Sequence, residues 1–156
     1  MSLINLALQD AQLSVAANLP AANANVTTGV IDLQNIAPNS ETWRRGLFVI
    51  QCPAIPENIA NIGITVTMQV TNASLINSPP APQLPVPGAF IAPPVAQVLT
   101  IAAVAGTGSL AQNAYMTLPL DGNGNPYQFY QFVIATPAGT NPNAETITIS
   151  FGTLSD

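Results

Sequence analysis

Ten consecutive residues in the first half of the chain alternate without a break. Ile62, Ile64, Val66, Met68 and Val70 fall on one side of an extended backbone, and Gly63, Thr65, Thr67, Gln69 and Thr71 on the other. A period of two marks a strand with one buried face, whereas the helical period of 3.6 would scatter these apolar residues around the axis. Such a strand needs partners at its edges and a second layer over its apolar face. The same alternation returns in Thr146–Phe151, with Ile147, Ile149 and Phe151 inward. It returns again in Tyr115–Leu120, where Met116, Leu118 and Leu120 alternate with Tyr115, Thr117 and Pro119. Leu47–Cys52, Thr28–Leu33 and Gln97–Val104 are further strand candidates. Tyr127–Ala135 is aromatic and β-branched without clean alternation, which fits a strand covered on both sides or one that enters an interface at Tyr130.

Punctuation supports the same reading. Fifteen Pro and ten Gly in 156 residues are too many for an all-helical chain. Asp121-Gly122-Asn123-Gly124-Asn125-Pro126 sits between two strand candidates and reads as a hairpin loop. Asn35–Ser40 and Thr136–Ala144 are two more loops. The chain is therefore expected to be one all-β domain spanning residues 1–156, a β-sandwich or jelly roll of about eight short antiparallel strands. Residues 1–25 read as an edge strand or an N-terminal arm. Ser78–Pro94 carries seven Pro in seventeen residues. It reads as a stiff, extended loop or arm inserted in the domain, with Leu84, Val86, Phe90 and Ile91 as apolar anchors on a neighbour.

Charge narrows the function. Lys and His are absent, Arg44 and Arg45 are the sole cations, and seven carboxylates bring the net charge to −5. Charged residues make up 6% of the chain, against about 25% in ordinary soluble domains. Nucleic-acid binding lacks its clustered Lys and Arg. Membrane binding lacks a basic amphipathic segment, and no apolar run reaches spanning length. Without His or Lys, no Ser–His–Asp, Cys–His or Ser–Lys arrangement exists within the chain. Cys52 stands alone in an apolar run and reads as a small buried hydrophobe. The carboxylates are dispersed, and position 132, where a calcium loop starting at Asp121 would place its closing Glu, is Phe. The expectation is a non-enzymatic chain with no cofactor and no metal.

One cluster of strong side chains remains, Glu41-Thr42-Trp43-Arg44-Arg45. Trp and Arg dominate protein interfaces, and Arg can hold a carboxylate with two hydrogen bonds. An intersubunit ion pair and a local pair with Glu41 or Asp32 are both open readings.

In order and texture, a series of landmarks resembles the capsid cement proteins of tailed phages, the type that decorates a Bordetella podovirus. They are Asp10-Ala11-Gln12, Thr28-Gly29-Val30-Ile31-Asp32-Leu33, Gly46–Ile50, Ile64–Val70, Leu118-Pro119-Leu120, Tyr127–Val133 and Ala144–Leu154, with Ser78–Pro94 standing apart as an insertion. The resemblance implies a jelly roll that assembles as a homotrimer on the outer capsid surface of a virion. There it would bridge neighbouring subunits of the major capsid protein. It transfers no residue set. Two other classes fit the composition: a major coat or fibre subunit, and a carbohydrate-binding or adhesin sandwich. A nucleic-acid-packaging coat would want a basic inner arm. A glycan binder would want exposed aromatic platforms, and Tyr115, Tyr127 and Tyr130 lie within or beside strands.

Overall fold

The computed structural model describes residues 13–33, 46–58, 63–75, 84–103, 108–140 and 145–153. Within them the chain is all-β. In order the strands are β1 (Ser14–Asn18), β2 (Ala24–Thr27), β3 (Ile31–Asp32), β4 (Gly46–Cys52), β5 (Ile64–Thr71), β6 (Ser74–Leu75), β7 (Leu84–Pro85), β8 (Val98–Ile101), β9 (Gln112–Thr117), β10 (Phe129–Thr136) and β11 (Thr146–Thr153).

They form two main sheets. One has the order β1-β11-β4-β9; the other has the order β2-β10-β5-β8, with β3 also paired to β10. Every pairing is antiparallel. Four of the pairings are nested: Ser14 opposite Ser150, Val26 opposite Ile134, Phe48 opposite Met116, and Val66 opposite Leu99. The chain is thus one long ribbon folded back on itself, with β5 and β8 nearest its tip. The ribbon is then wound so that β11 joins β4 and β10 joins β5, through Ile149 opposite Ile50 and Phe132 opposite Met68.

The alternation explains the winding. Val66, Met68 and Val70 of β5, Tyr130, Phe132 and Ile134 of β10, Phe48, Ile50 and Cys52 of β4, and Ile147, Ile149 and Phe151 of β11 are all buried in one core. Phe48 is its centre. Its ring lies 4.9 Å from that of Tyr130, 5.2 Å from Phe132 and 5.7 Å from Phe151, tilted or edge-on in each case. One side chain of β4 therefore touches its own neighbour β11 and, across the gap, β10 of the facing sheet. Offset and edge-on ring pairs add about 0.5–1.5 kcal/mol each beyond the area they bury.

Expected strands at 47–52, 62–71, 97–104 and 146–151 form within a residue or two of their expected ends at β4, β5, β8 and β11, apart from β8, which stops at Ile101. Three details differ. The candidate strand Thr28–Leu33 shortens to β3, Ile31–Asp32, and a separate strand, β2, ends just before it at Thr27. Between them Thr28 turns its side chain onto the sheet, donating from Oγ1 to Gly29 O at 2.8 Å and accepting from Phe132 N at 3.0 Å. The apolar side of Met116, Leu118 and Leu120 fades along its length, from buried Met116 to Leu120 at 47% exposure, because β9 ends at Thr117. Finally, Asp121–Pro126 does not join two paired strands. β9 and β10 lie in different sheets. The turn forms, closed by the Leu120–Pro126 bridge, but the chain crosses the sandwich there.

At one end of the sandwich, Ile55 and Ser109 exchange backbone hydrogen bonds of 2.8 and 3.0 Å. Buried Asn58 seals the junction by donating from Nδ2 to Ile101 O at 3.1 Å and to Ser109 Oγ at 3.2 Å. Gly108 has φ +69°, and a Cβ there would overlap the carbonyl oxygens of Ile55 and Pro56. Only glycine fits both requirements.

Truncating the central ring tests this core. Phe48→Ala is expected to cost about 3–5 kcal/mol of unfolding free energy in a denaturant titration, since it empties a site shared by both sheets. A loss below about 1 kcal/mol would mean that Phe48 does not join them.

Candidate interaction surface

The sequence directs attention first to Trp43, Arg44 and Arg45, which lie outside the described residues. The second group, in the Pro-rich segment, is described from Leu84 onward. β7 pairs with β6, and Val86 N donates to Ala73 O at 3.0 Å. A turn at Pro87-Gly88 follows, with Gly88 at φ +76° and Ala89 N donating to Val86 O at 3.2 Å. The chain then runs back along the edge of β5. Ile91 and Val70 exchange backbone bonds of 2.9 and 3.0 Å, and Met68 N donates to Gln97 O at 3.0 Å. Between Ile91 and Gln97, residues 92–96 leave that edge, and Pro93 alone among them is buried. The described half of the segment therefore covers an edge of its own sheet. Pro suits the place, since it cannot donate into a further ladder.

Its side chains divide. Val86 and Phe90 are half-buried, whereas Leu84 is 53% and Ile91 58% exposed. Val95 and Val98 are exposed as well. These last two were missed by sequence reasoning, because proximity to Pro residues says nothing of which way a side chain points.

Tyr130 is corrected outright as a surface residue. It is fully buried against Phe48, and its hydroxyl finds no well-formed hydrogen bond. Burial raises its phenol well above the usual value, and the backbone at Tyr127 offsets this only in part. Phe129 beside it is also fully buried but lies outside that core cluster. Both faces of the strand are covered here, which is why its sequence does not alternate.

The outward faces share one property. On the first sheet the positions opposite in phase to the core are Ser14, Ala16, Asn18, Thr146, Thr148, Ser150, Leu47, Val49, Gln51, Asn113, Tyr115 and Thr117, of which Leu47, Val49 and Ser150 are themselves buried. On the second sheet Asn25, Thr27, Gln131, Val133, Ala135, Thr65, Thr67, Gln69, Val98 and Thr100 face outward. None of these is charged. Gln131 Nε2 donates to Gln69 Oε1 at 2.7 Å, so neutral amides hold each other flat on the surface. Among the strands, only short β3 carries a charge, at Asp32.

Two groups that resemble reactive sites have other work. Asp121 Oδ1 accepts from Asn123 N and Asn125 N, both at 2.9 Å, and so shapes its turn. Among the described residues, no group of three or more Cys, Asp or Glu side chains is placed to hold a metal ion. Cys52 is buried, and burial pushes its thiol from 9.0 up to about 11.

A scan against protein-family models finds no match to this chain, and neither does a search of curated proteins.

Cys52 makes the site chemistry testable. Its folded pKa lies above the unfolded one, so the protonated thiol's stability is complete below about pH 9 and disappears as pH rises through about 11. Buried Tyr130 acts in the same direction at still higher pH. Wild-type unfolding free energy should therefore decline between these pH values more steeply than that of Cys52→Ala. Equal slopes would mean that the thiol is solvated.

Proposed function

We propose that the two sheets form a jelly roll and that the chain is a capsid decoration protein of a tailed phage. It binds the outer surface of the head and bridges neighbouring major capsid protein subunits, acting as cement. The resemblance implies a homotrimer on the shell.

The nested ribbon supports the fold. A ribbon wound so that β1-β11-β4-β9 faces β2-β10-β5-β8 has the strand order expected of a jelly roll. A sandwich by itself names no activity, so the functional reading rests on the surface. The observation that carries it is the absence of charge at the exposed outward-phase positions of both sheets, Asn18, Asn113, Tyr115 and Thr117 on one and Asn25, Thr27, Val98 and Thr100 on the other. An isolated soluble domain ordinarily keeps charges on its solvent-facing strand positions. A subunit packed among identical copies gains by leaving them out, because each charge repels its counterpart on every neighbour. Thr, Asn and Gln then supply neutral hydrogen bonds to the shell. Each contact is modest, and a lattice of copies makes occupancy cooperative through effective concentration.

The half-exposed Leu84 and Ile91 fit an anchoring role at the ribbon tip, as do the half-buried Val86 and Phe90. A Pro-stiffened tip loses little conformational entropy on docking. Trp43, Arg44 and Arg45 complete the proposed contact set.

Purified protein mixed with undecorated phage heads and sedimented is the direct test. Saturable co-sedimentation, with heads that survive more heat than bare ones, is the expected result. Protein that stays in the supernatant at every ratio would refute the cement role.

A further inference from the structure

Among the described residues β9 is an open sheet edge. On one side it pairs with β4 from Leu47–Thr117 to Cys52–Gln112. On the other side, among the described residues, no backbone hydrogen bond is made to it. A side-chain bond at its end, Thr117 Oγ1 to Gln97 Oε1 at 3.4 Å, reaches across.

Other edges are blunted. β1 has five residues, while β2 and β8 have four each. The chain beside β8 departs through Pro93-Pro94. β9 has six residues, Gln-Asn-Ala-Tyr-Met-Thr, with no Pro and no charge. Proteins usually protect such an edge with Lys, Pro, a bulge or a cover, because its free N–H and C=O groups template another strand. Tyr115, on the strand, is 51% exposed, and Leu110 before it and Leu120 after it are exposed at 66% and 47%.

We propose that β9 pairs antiparallel with β9 of a second copy, so that two four-stranded sheets become one continuous sheet across a two-fold axis. Three observations select a second copy over a foreign peptide. Residues 102–120 contain no charge, so two chains of net charge −5 meet there without opposed carboxylates. The edge offers no charged side chain with which to choose a basic or acidic peptide. The edge is also self-complementary in sequence register. A two-fold axis perpendicular to the sheet keeps outward residues opposite outward residues. Centred on Tyr115, it sets Tyr115 against its own copy and Asn113 against Thr117. The exposed Tyr115 ring is then answered by its own copy. The contact is isologous, so it doubles whatever unit the chain forms by other surfaces. It does not rest on the capsid reading.

The test is the solution mass of the full chain by light scattering over a concentration series, beside the double variant Asn113→Lys plus Tyr115→Lys. Lys at an edge opposes like charges across the axis. The wild-type mass should be twice that of the variant, with dissociation at least about tenfold weaker in the wild type, while their melting temperatures agree. Tyr115→Cys covers the case in which the double variant misfolds. Under mild oxidant it should form a covalent dimer through the new thiol, since Cys52 is buried. Equal masses for wild type and folded double variant, or a Tyr115→Cys protein that does not cross-link where wild type is monomeric, would overturn the proposal.

Discussion

The fold depends on one layer of side chains shared by two sheets, and Phe48 stands within it, in contact with three other rings. Its three ring partners come from β10 and β11, so a single side chain on β4 ties its own sheet to the facing one. The nested ribbon alone would leave β4 paired only to β9 and β5 only to β8. Burial of Phe48, Met68, Phe132 and Ile149 is what favours winding it until β11 meets β4 and β10 meets β5. The long-range order of the chain thus follows from short alternating runs that each need the same thing, a second apolar face.

Once the core takes most of the Ile, Val, Met and Phe residues, the outward positions are left mainly to Thr, Asn, Gln, Ser and Ala, with a few apolar ones such as Val98 and Tyr115. That is where the molecule departs from an ordinary domain. The described charges sit in turns and at strand ends: Asp32, Glu57, Asp121 and Glu145. The flat faces and the β9 edge carry none. This arrangement weakens long-range repulsion between copies and leaves contacts to be decided by shape, neutral hydrogen bonds and a few exposed apolar groups. It also removes the usual protection of an open edge, since a chain without Lys lacks the commonest edge blocker. The decoration reading and the β9 pairing draw on the same choice of residues, but on different parts of the surface.

Much of the strand pattern was legible in the sequence because alternation is local. Ile64–Val70 announces β5 with no knowledge of its neighbours, and Ile147, Ile149 and Phe151 announce β11. What alternation cannot give is which sheet a strand joins. Asp121–Pro126 has the residues of a hairpin turn and does form one, yet the strands flanking it belong to different sheets, because their partners are 47–52 and 64–71. Tyr130 was misplaced for a related reason. A strand covered on both faces loses its period, and an aromatic residue in such a run gives no sign of which side it takes. The Pro-rich segment was recognisable as irregular. Its backbone bonds to Val70 and Met68 depend on contacts that composition does not encode. The expectations at Trp43, Arg44 and Arg45 fall outside the described residues, and the exposed Tyr115 was visible as the polar-phase partner of Met116.

The central claim is that this surface makes its contacts without charge. It is tested most directly by measuring self-association and binding to the phage shell across ionic strength. Contacts made by uncharged sheet faces and edges should keep nearly the same affinity from low to high salt, because there are few exposed charges to screen. Affinity that falls steeply as salt rises would contradict the account and transfer the contact to ion pairs, with Arg44 and Arg45 as the cations available to make them.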